Sequence, residues 1–191
     1  MLQAVREYCG IRIRVLSGRQ ESALIGRYVS GFFPSQAKVL TIDVGGGSTD
    51  CAVVCGQRVL GATSFTVGIA RPEGGLTEEK KALSAYIKRA DKDYVAVSGG
   101  SAALLATVCG ALTADNLATW QQSLVGMAPL QIAERYTMTP DRAAHINGAL
   151  SVYTLLAAAC DSPLQVVQGG LVDAVLQQMV SARRRPCSLN S

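Results

Sequence analysis

The segment Leu40-Thr41-Ile42-Asp43-Val44-Gly45-Gly46-Gly47-Ser48-Thr49-Asp50 concentrates the residue types best suited to chemistry. An apolar run ends on a carboxylate. Three glycines follow, then two hydroxyls, then a second carboxylate. Glycines reach backbone angles that other residues resist, and they let main-chain N–H groups converge on an anion with no side chain in the way. Ser48 and Thr49 add hydroxyl donors. Asp43 and Asp50 alone would repel a phosphate. Beside one they make sense if Mg2+ lies between, because Mg2+ is held by one or two carboxylates together with waters and phosphate oxygens. The expected chemistry is phosphate binding at Gly45, Gly46, Gly47, Ser48 and Thr49, with a metal at Asp43 and Asp50. The plainer alternative is a glycine-rich hairpin turn flanked by solvated acids. Neither G-x-G-x-x-G before a helix nor G-x-x-x-x-G-K-[ST] occurs, so the phosphate is expected on a turn between strands rather than on a helix N-terminus.

The elements that must position this turn are legible on both sides of it. Lys38–Val44, Thr49–Cys55 and Gln57–Val67 read as three strands, so closely spaced that they must be consecutive and antiparallel. Upstream, Ile11-Arg12-Ile13-Arg14-Val15 alternates apolar and basic residues, the pattern of a half-exposed strand. Ser17-Gly18 ends it, and a short helix is expected over Glu21–Val29. Downstream, Thr77 can cap a helix with Glu78 and Glu79 in its first turn and Lys88 and Arg89 in its last, which complements the helix dipole. Tyr94–Ser98 is a short strand, and a helix follows from Ala102 to about Val108. Residues 110–128 are ambiguous, and Pro129–Tyr136 reads as helix. Thr139-Pro140-Asp141 is an N-cap, an N1 proline and a first-turn acid before a long helix. Leu164–Val167 is a last strand, and a last helix runs to about Ala182.

Composition narrows the classes. The 191 residues are 49% apolar and 17% charged, which excludes a disordered chain and a coiled coil. Aromatics at 5% imply an aliphatic core. The net charge of +4 is unevenly spread: residues 1–30 carry five bases and two acids, residues 31–182 carry ten and twelve, and Arg183, Arg184 and Arg185 supply the rest. A body without a basic face weighs against a dedicated DNA binder. The six cysteines form no C-x-x-C pair and the single histidine is His145, so a zinc site would need scattered ligands. Such cysteines read as reduced thiols of a cytoplasmic protein. His145 reads as structural, Trp120 as a core or interface anchor, and the arginine triplet as a solvated tail. The long uncharged run from Ala143 to Cys160 reads as a buried helix rather than a membrane span.

Asp43-Val-Gly-Gly-Gly-Ser-Thr-Asp50 resembles the signature of the Ppx/GppA phosphatases, the exopolyphosphatases and guanosine pentaphosphate phosphatases of the actin/hexokinase/Hsp70-like superfamily. Four further segments resemble the family in the same order. They are Gly10-Ile11 through Val15-Leu16-Ser17-Gly18-Arg19-Gln20-Glu21-Ser22-Ala23-Leu24-Ile25, then Val97-Ser98-Gly99-Gly100-Ser101-Ala102, then Thr139-Pro140-Asp141-Arg142-Ala143 with Gly148-Ala149-Leu150, and last Val166-Val167-Gln168-Gly169-Gly170-Leu171. The resemblance implies an α/β fold, a ribonuclease H-like (actin-like ATPase) domain with a mixed β-sheet flanked by helices. It implies Mg2+ as cofactor and inorganic polyphosphate or a guanosine polyphosphate as partner. It assigns the base that activates the attacking water to Glu21, metal placement to Asp43, orientation of metal or water to Asp50, and a second phosphate-facing turn to Gly99, Gly100 and Ser101. Such roles suit phosphoryl transfer, where positioning and charge neutralisation dominate. Arg12, Arg14 and Arg19 either steer a polyanion towards this base or form a solvated strand face.

The sequence also departs from the family. Members have two similar domains with the cleft between them, and the first begins with its own Asp- and Ser-containing phosphate loop, which residues 1–30 do not contain. The expected division is therefore residues 1–36 as the end of a first actin-like domain with a linker, 37–182 as a second one, and 183–191 as a basic tail. Asp50 stands where the family usually has Glu, Val172 where an Arg is frequent, and the stretch before Thr77 is short. The leading expectation is a Mg2+-dependent phosphoanhydride hydrolase releasing terminal orthophosphate. A non-catalytic polyphosphate- or nucleotide-binding half-domain is the alternative, and a kinase fragment needing ATP is the third reading. The bare half-cleft predicts either a homodimer that covers it or poor solubility, with neither DNA nor membrane as partner.

Overall fold

The computed structural model describes residues 2–71 and 77–183. Arg184, Arg185 and Cys187, with most of the expected basic tail, lie outside them. Two helices come first, α1 (Leu2–Cys9) and α2 (Gly18–Ser30). Three strands follow, β1 (Lys38–Val44), β2 (Thr49–Cys55) and β3 (Arg58–Phe65), then α3 (Thr77–Arg89), β4 (Tyr94–Ser98) and α4 (Gly100–Cys109). Next come α5 (Ala114–Ser123), α6 (Pro129–Arg135), α7 (Pro140–Ala158), β5 (Gln165–Val166) and α8 (Leu171–Arg183).

The five strands form one mixed sheet in the order β3-β2-β1-β4-β5. β1, β2 and β3 are antiparallel, as their short connections require, while β4 runs parallel to β1 and β5 parallel to β4. Side chains alternate across the sheet, and this divides the core in two. Leu40, Ile42, Val44, Cys51, Val95 and Val97 face a layer containing α3 to α7. Val39 and Ala96 face the other way, onto Ile25 and Val29 of α2. Gly26 is what lets α2 lie so close: a Cβ there would sit 2.8 Å from Val54 and 3.0 Å from Ala52. α8 packs against α2 on this same side.

Local chemistry accounts for the helix ends. Ser17 and Gln20 form a capping box at the start of α2. Thr113 accepts the Asn116 N–H and starts α5, a helix that settles the ambiguous stretch. Pro140 opens α7, whose Ala143, Ile146, Ala149, Leu150, Tyr153 and Leu156 are buried. Trp120 of α5 packs against Tyr136 in a tilted arrangement, with ring centroids 4.7 Å apart.

The strand expected at Ile11–Val15 is absent: residues 10–17 carry no regular structure. Ile11, Ile13 and Val15 are exposed, and none of the five strands pairs with this segment. An alternating pattern marks a segment able to pair, and pairing needs a neighbour. No described helix is long and apolar enough to cross a membrane.

Candidate active site

Sheet alternation decides which residues meet. Asp43 and Asp50 are cross-strand partners on β1 and β2, so their side chains leave the same face, the one that carries α2. Asp43 is also level with Ser98 on the parallel strand β4. Glu21 and Ser22 come down onto this corner from the first turns of α2. Ser22 Oγ lies 2.7 Å from the Gly18 carbonyl, 3.0 Å from the Thr63 carbonyl and 3.2 Å from Asp50 Oδ1, so its one proton is shared among three acceptors. Ser48 Oγ donates to Asp50 Oδ2 at 3.3 Å, and Ser98 Oγ to Asp43 Oδ1 at 3.0 Å.

The carboxylates disturb one another. Burial pushes the Asp43 carboxyl up to about 6, helped by the charges of Asp50 and Glu21 and opposed by the Ser98 hydrogen bond. Glu21 is raised too, by its own burial first and by Asp50 second. Ion pairs among the described residues join Lys38 to Asp91 and Lys81 to Glu78, neither at this corner. Like charges directly opposite on paired strands destabilise a sheet. Two opposed carboxylates with no cationic partner of their own are the hard-oxygen donor set that suits Mg2+. Among the described residues no three His, Cys, Asp or Glu side chains close on one point. A Mg2+ site sharing its ligands with waters and phosphate does not need them.

The glycine turn works differently from its expectation. None of Gly45, Gly46 and Gly47 has a positive φ. The Gly45 N–H closes the turn onto the Ser48 carbonyl at 2.9 Å. The three carbonyls are taken by the following loop: Ile69 N–H donates to Gly45, Ala70 N–H to Gly46, and Arg71 Nε to Gly47 at 2.7 Å. Among the described residues the Gly46 and Gly47 N–H groups have no such partner. A Cβ on either glycine would meet nothing nearer than 3.7 Å, so the chain's own packing does not require their smallness. What it leaves clear is the space over the turn. Gly68 is the glycine that packing does demand, since a Cβ there would fall 2.5 Å from the Gly46 carbonyl.

Thr49 does not join the corner. Strand alternation turns it to the face opposite Asp50, where it is fully buried and donates to the Val67 carbonyl at 2.7 Å. Ser101 is likewise engaged, donating to the Val44 carbonyl at 3.2 Å and lying 3.1 Å from the buried Tyr153 hydroxyl. Its backbone counts for more. Gly99 has φ +91° and directs the chain past Asp43, whose Oδ1 would be 2.7 Å from a Cβ there. α4 starts at once, with no side-chain cap and no acid in its first turn. Its leading N–H groups and the positive end of its dipole lie beside Asp43, an arrangement that suits an anion.

Sequence reasoning missed Ser22 and Ser98, which hold the two carboxylates, and Arg71, which sets a guanidinium on the glycine turn from a segment with no motif of its own. Only the burial expected of strand positions could have pointed to Ser98. A cavity of about 130 Å³ adjoins the second turn, lined by Ile69, Gly100, Ser101, Arg142 and His145 among others. His145 thus stands at the site's margin, its Nδ1 2.9 Å from the Asp141 carbonyl.

Comparison with known proteins bears on the family and the fold. Residues 1–95 match the family model of the Ppx/GppA phosphatase family. The fold is similar to that of a Ppx/GppA family member from Aquifex aeolicus, at 19% identity and TM-score 0.76, covering 96% of this chain and 69% of that one. It is similar also to an exopolyphosphatase from Cytophaga hutchinsonii, at 18% identity and TM-score 0.79, covering 95% and 69%. An exopolyphosphatase-like protein matches at 18% identity and TM-score 0.72, covering 95% and 72%. No curated protein matches the sequence. With the family model over residues 1–95 and the same α/β fold over the remainder, the chain belongs to the Ppx/GppA phosphatase family.

Proposed function

We propose that this chain is a Mg2+-dependent phosphoanhydride hydrolase of the exopolyphosphatase or guanosine pentaphosphate phosphatase type, releasing terminal orthophosphate. One observation carries the reading: Glu21, Asp43 and Asp50 interact at one corner of the sheet, beside a glycine turn with free N–H groups and the uncapped start of α4. Mg2+ bound between Asp43 and Asp50 would neutralise charge on the phosphate oxygens. Gly46 and Gly47, with the first N–H groups of α4, bind and orient the terminal phosphates. Ser98 and Ser22 fix the two aspartates. Glu21, its carboxyl raised by burial and by Asp50, takes the proton of the attacking water. A base placed in this way contributes typically about 10²–10⁴-fold. The free thiols at Cys9, Cys51, Cys55, Cys109 and Cys160 suit a cytoplasmic setting.

The purified chain with Mg2+ and long-chain polyphosphate is expected to release orthophosphate, and Glu21→Gln to cut the rate by at least about 10²-fold. Release unaffected by that substitution rejects the assigned base. Product formed only with ATP and an acceptor would mean a kinase.

A second reading has its own observation. Ile11, Ile13 and Val15 are exposed on the segment leading into α2, three apolar side chains that a second wall of the cleft, or a second copy of the chain, would cover. On that reading the chain is a polyphosphate-binding half, and saturable binding without release is its signature.

A further inference from the structure

α7 touches both of the elements that the hydrolase reading gives to phosphate. Its Gly148 meets the loop behind the glycine turn, where a Cβ would run into the Ile69 carbonyl. The N–H groups of Ile69 and Ala70 hold the Gly45 and Gly46 carbonyls. Its Tyr153 meets the second turn. Tyr153 has no exposed surface, and its hydroxyl lies 3.1 Å from Ser101 Oγ in the first turn of α4. Ser101 has one hydroxyl proton, and the Val44 carbonyl at the end of β1 takes it at 3.2 Å. A carbonyl has no proton to return, so the direction is fixed. Tyr153 donates to Ser101, and Ser101 donates to the residue before Gly45.

Gly148 and Tyr153 stand about 7.5 Å apart along the helix and about 140° apart around it. One rigid element therefore reaches both turns. α7 is itself packed on α3, α5 and α6. Its hold on the start of α4 is narrower. A cavity of about 130 Å³ lies between Gly100, Ser101 and Leu104 of α4 and His145, Ile146 and Ala149 of α7. Side-chain packing is interrupted there, and the Tyr153–Ser101 bond bridges the two helices. Volume alone does not call for tyrosine, since phenylalanine would fill the same space. The hydroxyl is a polar atom taken out of water, and Ser101 is its hydrogen-bond partner among the described residues.

We propose that Tyr153 is a positioning residue of the hydrolase: through Ser101 it sets the N-terminus of α4 at a fixed distance from the glycine turn, so that the N–H donors of both converge on the bound phosphates. This rests on the hydrolase reading and adds to it a residue that touches neither phosphate nor metal. A shift of about 1 Å in a positioning element can cost about 10²-fold in rate, so the loss of this one remote hydroxyl should show in turnover.

The test uses three substitutions. Tyr153→Phe removes the hydroxyl and keeps the ring, and Ser101→Ala removes both bonds. Thr41→Val removes a different buried hydroxyl, bonded to the Ala52 carbonyl at 3.2 Å beneath α2, and shows what the loss of a buried bond does by itself. Each variant is measured for thermal midpoint, for kcat and KM of orthophosphate release from polyphosphate with Mg2+, and by calorimetry for binding of tripolyphosphate with Mg2+. Tyr153→Phe should lower kcat/KM at least about tenfold. Thr41→Val should lower the midpoint by a similar amount and hold kcat/KM within about twofold. The double variant Tyr153→Phe/Ser101→Ala should be no slower than Ser101→Ala, because both residues lie on one path, whereas independent losses would multiply. Unchanged kcat/KM in Tyr153→Phe, an equal loss in Thr41→Val, or losses that multiply overturn the proposal and leave the hydrolase reading. No release from the native chain removes the hydrolase reading. Tripolyphosphate binding that weakens about tenfold in Tyr153→Phe would then still support the positioning role, and binding indifferent to Tyr153, or no binding, removes both.

Discussion

Replacing Asp43 with asparagine should make the metal-free protein more stable at neutral pH while removing its activity. The Asp43 carboxyl is raised from its ordinary 3.8 to about 6, chiefly by burial and then by the charges of Asp50 and Glu21. That difference corresponds to about 3 kcal/mol at 1.36 kcal/mol per pH unit. Between pH 3.8 and 6 the folded protein keeps a proton on Asp43 that the unfolded chain has lost. Stability contributed by this group therefore falls as pH rises through that window, and above pH 6 the full cost is present. Asparagine has nearly the same shape, carries no charge and can still accept the Ser98 hydrogen bond. Allowing about 1 kcal/mol for the weaker acceptor, Asp43→Asn should gain about 2 kcal/mol at pH 8, or about 4–8 °C in Tm for a chain of this size. The gain should vanish towards pH 4. Urea unfolding in EDTA from pH 4 to 8 measures it. Mg2+ added at pH 8 should stabilise the native sequence and leave the variant unmoved, since a ligand stabilises only the state that binds it. A variant no more stable than the native sequence at pH 8, or equally more stable at pH 4 and pH 8, would refute the claim that Asp43 is held under electrostatic strain.

Two further substitutions separate architecture from chemistry. Gly99→Ala forces a side chain into φ +91° and against Asp43 Oδ1; it should cost about 1–3 kcal/mol in urea unfolding and lower phosphate release beyond what that loss of stability accounts for. Thr49→Val leaves the buried Val67 carbonyl without its 2.7 Å donor, costing about 1–3 kcal/mol, yet release per folded molecule should hold; lost activity would return the Thr49 hydroxyl to the phosphate.

What the sequence could show depended on how locally each feature is determined. The β1–β2–β3 meander follows from short gaps between alternating apolar runs, and its registers put Asp43 opposite Asp50 as the turn length requires. The same alternation already implied that Thr49 and Asp50 could not both face a ligand, a consequence of period two that the cluster of polar residue types conceals. The three glycines were expected to serve by backbone freedom, yet none has a positive φ, and a Cβ on Gly46 or Gly47 would meet nothing nearer than 3.7 Å. Ile11–Val15 has a strand pattern and no strand, because pairing is a property of two segments and only one is written there. Ser22, Ser98 and Arg71 were illegible for a related reason. Each acts on a residue at least 24 positions away, through sheet pairing or loop docking, and nothing at their own positions marks it.

The energetic reading of the corner follows from these contacts. Five hydrogen bonds or close packings converge to hold Asp43 and Asp50 side by side: those of Ser22, Ser48 and Ser98, the turn at Gly99, and the packing of Gly18, where an added Cβ would lie 3.1 Å from Asp50 Oδ1. A fold selected for stability alone would separate two like charges, one half-buried and one buried, or pair one of them with a cation. This one spends close packing on keeping them together and, among the described residues, leaves the Gly46 and Gly47 N–H groups of the adjoining turn unbonded. Such an arrangement lowers its energy only when a cation and an anion arrive together, which is the composition of a metal-bound phosphate chain.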